Sequence, residues 1–148
     1  MENRMVPDKY FAGGFLYNPD TNQVLLHLRD GKTVNNPNTW SIFGGANELE
    51  DKNIPINTFI REIREEIGII LLAENVTFLR DFFSDKFNIH RFSFYAIDRT
   101  PANKIVLSEG ADFKWVNLEE ALIMGIGDKT KQDLVLFKNL LSQKGESL

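Results

Sequence analysis

An apolar periodicity of three and four residues runs through residues 56–67 and predicts an amphipathic helix there. On a helix of 3.6 residues per turn, these apolar side chains fall within roughly 100° of one another, which is enough for a core-facing stripe. Pro55 suits the first helical turn, where its missing N–H costs nothing, and Asn53 is a candidate cap. Gly68 suits the C-terminal end. The stripe consists of Ile56, Phe59, Ile60, Ile63 and Ile67.

Apolar runs on both sides of this helix predict strands, separated by turn-forming residues. Gly44 and Gly45 follow the third of these runs and predict a loop, because paired glycines let the backbone turn sharply and leave carbonyls open to a ligand. Two more helices are predicted, one beginning near residue 117 and reaching residue 124, and one over residues 130–143. The predicted strands cover residues 10–17, 23–29, 40–43, 76–83, 87–97 and 112–116.

The chain has 148 residues and a formal net charge of −4, which suits one domain with a full core. It contains no internal repeat, no linker and no stretch of about twenty apolar residues. The N-terminus lacks a charged-then-apolar signal pattern, so we expect a cytoplasmic protein without a membrane partner. The acidic charge argues against a nucleic-acid polymer as partner, but not against a single nucleotide. The sequence leaves a homo-oligomer open.

Three acidic side chains, Glu62, Glu65 and Glu66, lie on one face of the predicted helix beside the apolar stripe. Each like-charged pair at this spacing repels by on the order of 0.2–0.5 kcal/mol, so the cluster favours a bound cation. The chain has no cysteine, and all-oxygen ligands indicate Mg²⁺, with Mn²⁺ as its substitute, and a phosphorylated substrate. The alternative is an ordinary solvated face on which Arg61 pairs with Glu65.

The order of strand, glycine pair and acidic helix resembles the signature of the Nudix hydrolases. That signature is Gly, five residues, Glu, seven residues and then Arg-Glu-U-x-Glu-Glu-x-Gly-U, where U is bulky and aliphatic. Residues 61–69, Arg-Glu-Ile-Arg-Glu-Glu-Ile-Gly-Ile, match the second half in full. In the first half, five residues separate Gly45 from Asp51, which stands in place of Glu, and nine residues separate Asp51 from Arg61. We interpret this difference as a two-residue expansion of the loop.

The resemblance covers roughly residues 8–142, and it implies one domain over residues 1–148. The fold it implies is α/β, an α/β/α sandwich with a mixed central sheet. The metal ligands it implies lie on one face of the helix and in the backbone that precedes the helix. These ligands are Glu62, Glu65 and Glu66, with a backbone carbonyl of Gly44 or Gly45.

The same resemblance assigns roles to other residues. Glu62 is the first candidate to accept the proton of the attacking water, and Arg61 is expected to orient a glutamate. Glu109 resembles a late loop glutamate of MutT-like members that reaches the metals or serves as base, although a solvated loop position is the alternative. Arg29 resembles a phosphate-binding arginine of those enzymes. Phe43 is a candidate to stack on a base, although aromatic residues in such strands commonly belong to the core.

The implied activity is Mg²⁺-dependent hydrolysis, by water attack on phosphorus, of a diphosphate linkage in a nucleoside diphosphate derivative. A nucleoside triphosphate is the first expectation, as for MutT-like pyrophosphohydrolases. Nucleotide sugars and other nucleoside diphosphate conjugates stay open as substrates. A non-catalytic Nudix-fold module that senses a nucleotide or binds a protein also stays open. The isopentenyl diphosphate isomerases share this fold but use a catalytic cysteine, which the chain lacks.

Overall fold

The computed structural model describes residues 6–29, 39–108 and 112–146. In this part of the chain, seven strands form one mixed sheet. The strands are β1 (Tyr10–Asn18), β2 (Gln23–Leu28), β3 (Trp40–Ser41), β4 (Phe43–Ala46), β5 (Val76–Ser84), β6 (Ile89–Ile97) and β7 (Asp112–Asn117). The helices are α1 (Pro55–Ile67), α2 (Leu118–Ala121) and α3 (Asp128–Glu146).

Strand β1 lies at the centre of the sheet. It pairs parallel with β6 along almost its whole length. Its N-terminal half pairs antiparallel with β4, and its C-terminal end pairs antiparallel with β2. The sheet continues antiparallel from β6 to β5, and from β2 to β3 and β7. The first strand of the chain therefore joins segments that are far apart in sequence.

The sheet separates two apolar cores, because successive strand residues point to opposite faces. On one side, α1 buries Phe59 and Ile63 in a cluster that includes Leu16 of β1. On the other side, α3 buries Leu134 and Phe137 in a second cluster. The predicted sandwich of helices around a mixed sheet is thus confirmed. In the described part of the chain, no helix is long and apolar enough to cross a membrane.

Helix α1 begins and ends where the sequence predicts. Pro55 is the first helical residue, and Gly68 ends the helix at a φ of 72°, with its N–H donating to the Arg64 carbonyl at 3.0 Å. The prediction of Asn53 as the cap is wrong. Ile54 precedes the helix, and the Asn53 side chain instead donates to the Val6 carbonyl at 3.0 Å. Helix α2 is shorter than predicted and α3 is longer.

The prediction of a loop at Gly44 and Gly45 is also wrong, because both residues lie in β4. Gly44 pairs with Gly13 of β1, and Gly45 pairs with Ala12. A Cβ at Gly13 would lie 2.3 Å from the Phe43 carbonyl oxygen, and a Cβ at Gly44 would lie 2.6 Å from that of Ala12. The glycines therefore allow a close approach of two strands, which from sequence alone is indistinguishable from a turn.

Replacing Phe137 with Ala should destabilise the fold. Phe137 has no exposed surface, and its ring centroid lies 5.1, 4.8 and 4.6 Å from those of Phe15, Tyr17 and Tyr95. Loss of such a buried ring costs roughly 3–5 kcal/mol, which urea unfolding measures. On the same helix, Val135 is 42% exposed, and Val135→Ala should change stability by less than about 1 kcal/mol. Equal losses in the two variants would contradict the described packing of α3.

Candidate active site

The three glutamates of α1 occupy three different environments. Glu66 is only 5% exposed and lines a cavity together with Gly44. Glu62, one turn earlier, has a side chain that is 13% exposed. Glu65 is 45% exposed. The acidic face that the sequence predicts is therefore graded from the interior at Glu66 to the solvent at Glu65.

Glu62 lies directly against strand β4. A Cβ at Gly45 would lie 2.4 Å from Glu62 Oε1 and 2.7 Å from its Cδ. Any side chain at position 45 would therefore displace the carboxylate. The preceding residue, Gly44, lines the same cavity as Glu66. The structure thus brings the two glycines and two of the predicted glutamates, Glu62 and Glu66, to one place.

These residues fit a hard divalent cation. Carboxylate and backbone carbonyl oxygens are the ligands that Mg²⁺ and Mn²⁺ prefer. The bare backbone at Gly45 lets the Glu62 carboxylate reach the strand without an intervening side chain. Glu65 also belongs to an exposed acidic group with Glu48 and Glu50, whose ligand atoms lie within 4.8 Å of one another. Exposure and acidity alone do not make that group a metal site.

Arg61 joins the acidic residues around the first turns of α1. Its side chain is 4% exposed, and Nη1 donates to Glu62 Oε1 at 3.1 Å and to Glu65 Oε1 at 3.0 Å. Glu48 Oε2 lies 3.0 Å from the same nitrogen. Nη2 donates to the Ala46 carbonyl of β4 at 3.0 Å. Arg61 is therefore placed to orient glutamates, and its burial keeps it from a direct contact with substrate.

Asp51 holds Arg61 from the opposite side and is 2% exposed. It accepts hydrogen bonds from Arg61 Nε at 2.8 Å and from Arg61 Nη2 at 3.0 Å. Thr58 Oγ1 also donates to Asp51 at 2.8 Å, and Tyr10 Oη lies 2.8 Å from that hydroxyl. Burial alone would raise the pKa of Asp51, but the hydrogen bonds from Arg61, the Glu48 N–H and Thr58 lower this pKa below its ordinary value.

A tight turn carries Asp51 to this position. Lys52 and Asn53 both have left-handed backbones, with φ of 56° and 59°, and the Ile54 N–H then donates to the Asp51 carbonyl at 3.1 Å. Non-glycine residues in this conformation cost on the order of 1–3 kcal/mol each. The Asn53 side chain also donates to the Val6 carbonyl at 3.0 Å, which ties this turn to the segment before β1.

The cavity beside Glu66 has a volume of about 310 Å³, which is within the roughly 300–1,000 Å³ of small-molecule sites. Arg29, predicted as a substrate contact, lies in its wall. The lining therefore combines carboxylate and backbone groups with cationic and aromatic side chains. The cationic lining residues are Arg29, Arg91 and Lys129, and the phenylalanines are Phe11, Phe82 and Phe87.

Phe43, another predicted residue, is not part of this cavity wall. Phe43 has no exposed surface, and its ring stacks on that of His27 with centroids 5.0 Å apart. His27, and not Phe43, lines the cavity. The prediction of Phe43 as a stacking partner for a base is therefore corrected, because this ring belongs to the core. Glu109 lies outside the described residues.

Sequence reasoning missed a buried carboxylate in the cavity wall. Asp133 of α3 is 1% exposed and accepts hydrogen bonds from Arg80 Nε at 2.5 Å and from Ser93 Oγ at 3.2 Å. Burial raises the pKa of Asp133, although Arg80 and Ser93 act in the opposite direction. No local motif marks Asp133. The role of Asp51 was also missed, although its position after Gly45 was the available signal.

The NUDIX domain family model matches residues 10–138, and the chain belongs to this family. The "MutT/nudix family protein" from Enterococcus faecalis is 21% identical, with a TM-score of 0.58 over 77% of this chain and 47% of its own. This chain thus spans about half the length of that protein. No curated protein sequence matches significantly.

Two other solved structures share the fold. The E. coli dihydroneopterin triphosphate pyrophosphohydrolase is 20% identical, with a TM-score of 0.62 over 84% of this chain and 91% of its own. The NUDIX domain of Shewanella oneidensis NrtR, solved with ADP ribose, is 17% identical, with a TM-score of 0.70 over 90% and 86%. At these identities, the likeness shows the fold alone.

Asp51→Asn should destabilise the protein strongly, because Arg61 would keep its buried charge without the carboxylate. Breaking a buried pair in this way costs roughly 3–5 kcal/mol. The pKa of Asp51 is lowered by folding, so its stabilisation is fully present above about pH 4, near the unfolded pKa. It is lost as the pH falls through the lower folded pKa. The difference between wild type and variant in urea unfolding should therefore be constant between about pH 5 and 7 and shrink below about pH 4.

Asp20→Asn is the matched control, because Asp20 also pairs with an arginine, Arg99, at 2.8 Å, but both side chains are exposed. Loss of an exposed pair should cost roughly 0–1 kcal/mol. Equal effects of Asp20→Asn and Asp51→Asn on the free energy of unfolding would contradict the role given to Asp51.

Proposed function

We propose that the chain is a Mg²⁺-dependent hydrolase that cleaves a diphosphate linkage in a nucleoside diphosphate derivative, with water as the nucleophile at phosphorus. The observation that carries this proposal is the convergence of Glu66, the Gly44 backbone and the Arg29 cation on one cavity. Oxygen donors suit a divalent ion, and a guanidinium suits phosphate oxygens. Membership of the NUDIX family supports the same reaction class.

Glu62 and Glu66 would hold the ion together with a backbone carbonyl of Gly44 or Gly45. A divalent ion bound there would neutralise phosphate charge and acidify water, with Mn²⁺ as the substitute for Mg²⁺. Glu65 would complete the acidic set at the solvent side, in the orientation that Arg61 gives it. Arg61 acts through these glutamates and makes no contact with substrate in this proposal.

Glu62 is the proposed general base. Its side chain is partly exposed at the edge of the site, so water reaches the carboxylate, and a carboxylate is a competent proton acceptor. Glu109 is the second proposed base or ligand. It follows Ser108 in the chain, and the Ser108 N–H donates to the Glu66 carbonyl at 2.8 Å. That hydrogen bond anchors the preceding residue to the end of α1.

A nucleoside triphosphate is the first proposed substrate. Arg29 and Lys129 offer positive charge to a phosphate chain, and Phe82 and Phe87 add aromatic surface for a base to the same lining. The names of two structural relatives, a triphosphate pyrophosphohydrolase and a domain bound to ADP ribose, support a nucleotide derivative. Nucleotide sugars and other diphosphate conjugates belong in the same test panel.

The proposal is tested by release of phosphate or pyrophosphate across nucleoside triphosphates, ADP-ribose and nucleotide sugars. Turnover should require Mg²⁺ or Mn²⁺, stop when a chelator removes the ion and resume when the ion is returned. Ranking kcat/KM across the panel identifies the substrate class. Nucleotide binding without turnover at saturating metal would overturn the enzymatic proposal in favour of a non-catalytic module.

Glu66→Gln should reduce kcat/KM by at least about a hundredfold, because residues that merely orient metal ligands already contribute roughly 10- to 100-fold. The variant keeps the size of the side chain and removes its negative charge. Glu74→Gln is the matched control at an exposed glutamate in a 3-10 turn, and its activity should equal that of wild type. Wild-type kinetics in Glu66→Gln would contradict the assignment of this carboxylate.

A further inference from the structure

The register of the sheet places Arg91 between two aromatic rings. Phe11 of β1 lies opposite Arg91 of β6, and Arg91 lies opposite Phe82 of β5. Directly opposite residues project their side chains from the same face of a sheet, and all three line the cavity. Arg91 is therefore fixed by strand pairing to the wall that Glu66 and Gly44 share.

The Phe11 ring packs on two glycines of neighbouring strands, Gly13 of β1 and Gly44 of β4. Phe11 Cε1 lies 3.0 Å from the Cβ position of Gly13, and Phe11 Cζ lies 3.0 Å from that of Gly44. The ring therefore covers the bare backbone of two neighbouring strands. This contact brings the ring to the β4 backbone that forms one side of the proposed metal site.

The guanidinium of Arg91 packs on the ring, with its Cζ 4.0 Å from the Phe11 centroid. Within residues 6–29, 39–108 and 112–146, the Arg91 side chain makes this contact and no hydrogen bond or salt bridge. A guanidinium carries five N–H donors in a fixed plane. The half-buried Arg91 is thus oriented by an apolar surface and keeps its donors for a ligand with several acceptor oxygens.

The buried carboxylate nearby serves a different arginine. Asp133 accepts its hydrogen bonds from Arg80 and Ser93. Burial lowers the pKa of Arg91; Asp133 opposes that shift, and Arg29 and Arg80 reinforce it. Glu66, Asp128 and Asp133 line the cavity together with the three cationic residues. The Asp133 carboxylate is hydrogen-bonded to Arg80 and Ser93, so it does not occupy the donors of Arg91.

We propose that Arg91 binds a non-bridging phosphate oxygen of the substrate. The contacts of Phe11 with Gly44 and with Arg91 set the guanidinium in the cavity wall that contains Gly44 and Glu66. The proposed function assigns these two residues to the divalent ion that would bind the diphosphate group, and the inference rests on that proposal. Guanidinium binds phosphate oxygens through two parallel hydrogen bonds. The ligand class is a polyphosphate chain, either attached to a nucleoside or free as inorganic tripolyphosphate.

The experiment measures binding of inorganic tripolyphosphate to the full chain by calorimetry, and kcat and KM for a nucleoside triphosphate with Mg²⁺. Arg91→Gln should weaken tripolyphosphate binding roughly ten- to hundredfold and raise KM more than it lowers kcat. Arg91→Lys should recover part of the binding, because it keeps the charge but loses the planar fork. Phe11→Leu should give an intermediate loss, because the arginine remains but its supporting ring does not.

Arg99→Gln is the control, because it removes the same charge from an exposed site, and its tripolyphosphate affinity should equal that of wild type. Thermal unfolding confirms that each variant is folded. Wild-type tripolyphosphate affinity in Arg91→Gln would overturn the inference. An equal loss of affinity for a nucleoside without phosphate would also overturn it, because Arg91 would then contact the base.

The two proposals fail separately. Tripolyphosphate binding that depends on Arg91, in a wild type that hydrolyses no diphosphate, would remove the proposed function and keep the anion site. Turnover with an unchanged KM in Arg91→Gln would keep the proposed function and remove the anion site.

Discussion

The buried ion pair between Arg61 and Asp51 is the interaction on which the acidic site depends. Four carboxylates surround the Arg61 guanidinium, and Asp51 accepts hydrogen bonds from two of its nitrogens. The other three carboxylates are those of Glu48, Glu62 and Glu65. Glu62 and Glu65 are then oriented from the free edge of Arg61. One cation does not neutralise four anions, so the helix surface keeps an excess of negative charge. A divalent cation is the natural complement of that excess.

The sheet contributes to the same site through two positions that carry no side chain. Gly44 and Gly45 expose only backbone, so that the Glu62 carboxylate lies against Gly45 and the Phe11 ring covers Gly44. The acidic helix α1 therefore lies on one side of the Gly44–Gly45 backbone, and the cavity wall with Arg29 and Arg91 lies next to it. Neither the acidic helix α1 nor the glycine-containing strand β4 would form such a site alone. The proposed site exists because α1, β4 and β6 are held close together around it.

Helix α1 was predictable because its signals are local: Pro55 and Gly68 mark its ends, and the apolar stripe marks its buried face. The glycine pair was misassigned because the atoms that exclude a side chain there belong to other elements, strand β1 at Gly44 and Glu62 at Gly45. Phe43 looked like a ligand contact, yet its burial depends on strand packing that no short pattern reveals. Arg29 of the cavity wall was predicted, but Arg91 was not, since its place there depends on the register between β1 and β6.

The parallel pairing of β1 with β6 has a consequence for how the protein is made. Tyr10 pairs with His90, and Tyr17 pairs with Ile97, so the central strand is synthesised long before its main neighbour. Contacts between distant segments slow folding, because a long loop must close before they form. The residues of the acidic helix α1 are therefore synthesised before β6 and α3, which also line the cavity. The sheet is complete only with β7, and the cavity only with α3, which contributes Lys129 and Asp133 to the lining.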